Sequence, residues 1–238
     1  MKRLLLIIFQ VSFTCTFLFS QSKVWDYPIR PGSFEWDKAN TLEARLNLYN
    51  IPSNLLRVMK TEDLVKTCLN YPELRMIMSR NNFFEGYTFL KTNFNGFREL
   101  EKRPDAGKIL LSIYEDIRHD DVVKIPKSID KGHFMANILH LEIIIVQDPI
   151  ISSLSSEELI SLKTKAIKSY ESILSLEEYF SIFPLEFPAL IMCKVLNIEK
   201  EINPFLNQSF DKELSAFLKY PHVSNSSVWD RVYEIATK

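Results

Sequence analysis

The chain contains one Asn-Gly dipeptide, Asn95-Gly96, and only 5 glycines in 238 residues. Tight β-hairpins depend on residues that accept a positive φ, and Asn-Gly is their strongest sequence marker. A meander or sandwich built from this sequence would have almost nothing to turn on. What recurs instead is apolar residues spaced three and four apart, punctuated by short segments containing Pro, Asn, Asp or Ser, which is the pattern of successive short helices. The expected fold class is all-α: an irregular stack of short antiparallel helices, a helical-repeat-like array, preceded by an extended arm.

The amino terminus reads as an export signal. Lys2 and Arg3 precede an uncharged, mainly apolar run from Leu4 to Phe19, and Ser20 supplies a small residue for cleavage. Gln10, Ser12, Thr14 and Thr16 interrupt that run, which is short against the ~20 apolar residues of a spanning helix. The reading divides the chain into a signal peptide (1–20), an arm (21–35) containing Pro28, Pro31 and Gly32, and one helical domain (36–238). No later segment is apolar enough to span a bilayer, since the best candidate, Ile138 to Val146, carries His140 and Glu142. Without Lys2 and Arg3 the formal charge moves from −1 to −3 with no long block of one sign, which gives no hint of a nucleic-acid partner.

Several helix boundaries can be placed. Thr61, followed by Glu62 and Asp63, reads as an N-cap with carboxylates in the first turn. Asn82 opens a helix to Phe94, and Asp105 caps one running to Ile117. Ser155-Ser156-Glu157-Glu158 and Ser175-Leu176-Glu177-Glu178 both have the capping-box pattern. The most apolar segment, about Asp130 to Gln147, has Phe134, Ile138, Leu141 and Ile145 at helical spacing and reads as the central buried helix. A strand over Ile143-Ile144-Ile145-Val146 competes, because β-branched residues favour extended backbone, but the helical period starts ten residues earlier.

Three stretches, Thr61-Glu62-Asp63-Leu64-Val65-Lys66-Thr67-Cys68-Leu69-Asn70-Tyr71-Pro72, Phe94-Asn95-Gly96-Phe97-Arg98-Glu99-Leu100-Glu101-Lys102-Arg103-Pro104-Asp105-Ala106 and Leu139-His140-Leu141-Glu142 onward, resemble a family of exported bacterial proteins. The resemblance covers most of the mature chain and implies an all-helical, HEAT-like body. It transfers no catalytic residue.

Residues able to do chemistry are few. His133 and His140 share a helix face, but seven residues at ~1.5 Å each separate them by roughly 10.5 Å, too far to chelate one ion. With Glu142 they form a candidate polar site for a hydrolase. His119, beside Asp120 and Asp121, reads as an exposed histidine near a helix C-terminus. Glu99 and Arg103 read as a surface i,i+4 ion pair. Cys68 and Cys193 remain after cleavage, and a bridge is chemically permitted in an exported chain, but their apolar neighbours favour buried free thiols. No G-x-S-x-G, H-E-x-x-H, C-x-x-C or glycine-rich phosphate loop occurs, and neither a metal nor a cofactor is expected.

The strongest binding signal is aromatic. Trp25, Tyr27, Phe34 and Trp36 crowd the mature start, and an arm carrying two tryptophans can either clamp onto its own domain or engage a partner. The function expected is a non-catalytic exported module that binds a protein or cell-envelope partner through Trp25, Tyr27 and Trp36. An exported hydrolase using His133, His140 or Glu142 is the alternative, and lipid carriage a third class. A titratable cluster in a cleft would favour the hydrolase, and an apolar surface would favour partner binding.

Overall fold

The computed structural model describes residues 24–180, 183–203, 210–221 and 226–238. The export signal read in residues 1–20 lies outside them. The described residues are all-helical and contain no strand. Three short helices, α1 (Phe34–Lys38), α2 (Leu42–Asn47) and α3 (Ser53–Val58), precede α4 (Thr61–Leu69) and a 3-10 turn at Leu74–Met78. Next come α5 (Phe83–Asn93), α6 (Asn95–Leu100), α7 (Ala106–Asp116), α8 (Asp121–Lys124), α9 (Ser128–Ile145) and α10 (Asp148–Ile151). The chain ends with α11 (Ser156–Ser175), α12 (Glu186–Ile202), α13 (Lys212–Lys219) and α14 (Ser226–Ala236). One contiguous apolar core runs through them from Tyr27 to Val232. α7 packs on α4, α9 and α11, and α12 packs on α11 and α14.

The central helix forms as its period predicts. α9 continues through Ile143, Ile144 and Ile145, each fully buried, and the Val146 amide donates to the Glu142 carbonyl. Helical backbone wins over the β-branched preference because neighbouring helices cover this half on every side. The other half is different: from Ser128 to Asn137 no residue is buried, so α9 begins as an overhanging rod and ends as a core element.

Capping follows the sequence only in part. Ser155 and Glu158 make the reciprocal capping box that opens α11, and Asn82 caps α5 through the Glu85 amide. Thr61 is not a cap: Lys60 holds that position, and the Thr61 hydroxyl donates to Asp105 Oδ1 at 2.8 Å, tying the start of α4 to the start of α7. Asp105 stands at the N-cap of α7 but makes no side-chain cap bond. The second capping box does not form, because α11 runs to Ser175 and the chain then turns, with the Phe180 amide donating to Leu176. Nor does Asn95-Gly96 make a hairpin. Its asparagine pairs with both backbone groups of Ile51, accepting from the amide at 2.9 Å and donating to the carbonyl at 2.8 Å.

Glu99 and Arg103 do more than an exposed pair would. Arg103 Nε donates to Glu99 at 2.8 Å while the rest of its guanidinium donates to the Leu56 and Met59 carbonyls at the end of α3. Cations favour those carbonyls, which lack helical partners. Arg103→Met, which keeps the apolar stem, is expected to lower the unfolding free energy by about 1–2 kcal/mol. An unchanged urea midpoint would return the pair to the status of a surface contact.

Candidate functional site

The arm lies against its own domain. Trp25 donates its backbone amide to Thr67 Oγ1 and its indole N–H to the Tyr49 carbonyl, both at 3.1 Å. Tyr27 is buried, with its hydroxyl donating to the Thr67 carbonyl at 2.7 Å, and its ring meets Tyr49, Tyr71 and Phe94 at centroid distances of 5.7, 6.0 and 5.9 Å. Its backbone takes the left-handed φ of 52°, which is strained for an L residue and is held by those contacts. Trp36 is half-buried against Tyr49. Of the two uses open to the arm, the structure takes clamping, and Tyr27 is a core residue, with no surface for a partner.

The three polar residues picked on α9 do not converge. His133 is exposed and His140 is buried. Glu142 lies two residues beyond His140, roughly 200° around the helix, and points into the body. There Tyr114 of α7 donates to Glu142 Oε1 at 2.6 Å. Burial pushes the Glu142 carboxyl up to about 8, against the opposing hydrogen bond from Tyr114 and the charge of Lys165 on α11. Burial lowers His140 to about 4. His119, expected in solvent, is instead 4 % exposed and lies 6.0 Å from the Phe180 ring. Burial and the nearby Lys165 hold it down to about 4. Lys165 donates to the Glu115 and Ile117 carbonyls, so it closes the end of α7. The Tyr114–Glu142 pair is shut inside the body, with His119 and His140 buried separately, and the sequence clue to the pair was a lone acid, Glu142, within an apolar run.

Two adjoining surface hollows are present that sequence spacing could not show. The first, about 270 Å³, is a groove between the end of α4, the second half of α7 and the middle of α9. Leu69, Ile113, Ile117, Phe134, Ile138 and Leu141 line it, with the amides Asn70 and Asn137 and no titratable side chain. The second, about 350 Å³, lies under the arm and includes Trp25, Asp26, Arg30 and Tyr49 in its walls. Asn70 lines both. Cys68 and Cys193 are separate, buried free thiols, so the permitted bridge does not form, and burial raises both thiols well above the ordinary range. Among the described residues no group of three or more His, Cys, Asp or Glu could hold a metal ion, and no helix is long and apolar enough to cross a membrane. Comparison with family models, curated proteins and solved structures gave no match.

Proposed function

We propose that this protein is an exported, non-catalytic helical interaction module and that the groove between α4, α7 and α9 receives a peptide segment of a partner protein. The observation carrying this reading is the chemistry of the groove wall: six apolar side chains interrupted by two amides, with no titratable side chain. A side-chain amide both donates and accepts, as a peptide group does, so Asn70 and Asn137, both exposed, match the backbone of an extended segment whose apolar side chain fills the hollow. Such anchors in desolvated pockets supply most of the energy of an interface. The unburied first half of α9 lengthens the surface on one side. With the export signal read in residues 1–20 and the resemblance to exported helical bacterial proteins, the partner is one met in the periplasm or outside, in the cell envelope or among secreted proteins.

Panning a displayed random-peptide library against the full protein tests this. The expected result is an enriched consensus with one bulky apolar anchor, hydrogen-exchange protection at Leu69–Asn70, Ile113–Ile117 and Phe134–Leu141, and a tenfold or greater loss of affinity in Asn137→Ala without a change in melting temperature. Absence of enrichment, or protection confined to other helices, would overturn the reading.

A further inference from the structure

Asn95-Gly96 is the one Asn-Gly pair in the chain, and Asn-Gly is the dipeptide whose asparagine loses its amide most readily. Glycine leaves the following backbone nitrogen unshielded and free to swing toward the asparagine side chain. The fold holds both residues in place. Gly96 is buried, and a β-carbon there would stand 2.3 Å from the Phe94 ring, which is itself fully buried and stacked on Tyr71 at 4.5 Å, so no larger residue fits. Asn95 uses both ends of its amide: Oδ1 accepts from the Ile51 amide at 2.9 Å and Nδ2 donates to the Ile51 carbonyl at 2.8 Å. The Asn95 backbone amide donates to Asn50 Oδ1 at 2.8 Å. These three bonds latch the start of α6 to the loop between α2 and α3. They also suppress the reaction, because Asn95 is the first residue of α6, and helical backbone with the side chain tied to Ile51 holds its Cγ out of line with the Gly96 nitrogen.

We propose that Asn95 is a modification site, a deamidation site closed by the native latch and opened only when α6 parts from that loop. The Gly96 nitrogen then attacks Asn95 Cγ. The new C–N bond closes a succinimide ring, the Cγ–Nδ2 bond breaks, and Nδ2 leaves as ammonia with the proton of the Gly96 amide. Water opens the ring to aspartate or isoaspartate. The latch does not re-form, because either product turns a carboxylate toward the Ile51 carbonyl where the amide had donated, and two acceptors cannot share a hydrogen bond. A chain marked in this way has lost its fastening beside the aromatic cluster that holds the arm, since Phe94 meets Tyr27 at 5.9 Å. The site does not depend on the peptide groove, and either can fail alone.

The test follows residue 95 by peptide mass spectrometry in the full protein, incubated at neutral pH in buffer and in denaturing urea. The chain in urea is expected to deamidate there, and the native chain at least about a hundredfold more slowly, the factor that three hydrogen bonds of ordinary strength place on the opening. Asn50→Ala removes one of them, so its native rate should rise about five- to tenfold, with its rate in urea unchanged. Deamidated wild-type protein, separated by ion exchange, should melt about 4–8 °C below the parent. A native rate within tenfold of the rate in urea, a native rate unmoved by Asn50→Ala, or a deamidated protein that melts with the parent would overturn the proposal.

Discussion

Gly86→Ala should destabilise this protein by about 3 kcal/mol, lowering its melting temperature by roughly 6–12 °C. Intrinsic propensity argues the other way, since alanine is favoured over glycine inside a helix by about 1 kcal/mol. Gly86 lies within α5, where the 3-10 turn Leu74–Met78 presses against it. A β-carbon at Gly86 would stand 1.8 Å from the Ile77 carbonyl oxygen and 2.6 Å from the carbonyl carbon. These are backbone atoms, so no rotamer change relieves the clash. Ile77 is itself fully buried, so the two segments must separate and expose core on both sides. Urea denaturation would measure the loss. A variant as stable as the parent would mean that α5 and the turn are not in contact in solution.

That contact also marks the limit of what the sequence could disclose. Local rules found the helices: the capping box at Ser155 and Glu158, the helix opening near Asn82 and the period of α9 each depend on residues within a few positions of one another, and each appears as expected. The failures came where a distant group competed for the same atoms. Thr61 and Asp105 both looked like caps, and their oxygens instead meet each other across 44 positions. His119 looked solvated, and it is covered by Phe180, which no spacing rule connects to it. For the candidate site the sequence offered an even choice for the arm, and its three polar residues on α9 never assemble. The groove was unreadable because Leu69, Ile113 and Phe134 come from three helices, and each has the pattern of an ordinary core residue.

The second large effect is a fall in stability as pH rises through neutrality. Glu142 is pushed up to about 8 and Glu186 to about 7, both by burial, whereas an unfolded glutamate titrates near ~4.3. Over the interval between these values the folded chain binds more protons than the unfolded one, so each carboxyl's contribution is complete below the unfolded value and is lost as pH climbs through the folded value. His119 and His140 act in the opposite direction. Lowered to about 4 from an unfolded ~6.5, they leave the unfolded chain binding more protons across that interval, so stability there rises with pH. The two effects offset each other between about pH 4.5 and 6.5 and leave a plateau. Above 6.5 the carboxyls outweigh the last half of the unfolded histidines' titration, and between pH 6.5 and 8 the wild-type chain should lose about 1–2 kcal/mol, at up to ~1.4 kcal/mol per unit for each group. Glu142 faces Tyr114, which donates to it, and Lys165. Burial raises Tyr114 as well, so its phenol stays neutral in this range, and Lys165, with its amine on the Glu115 and Ile117 carbonyls, compensates only in part. Glu142→Gln keeps an acceptor for Tyr114 and removes the titration, so its loss over the same range should shrink to near zero, the part belonging to Glu186 being offset by the histidines. Urea midpoints at pH 5.5, 6.5 and 8 would show it. A wild-type chain equally stable at 6.5 and 8 would mean that Glu142 reaches solvent or a second cation when it ionises, and the network between α7, α9 and α11 would then be open.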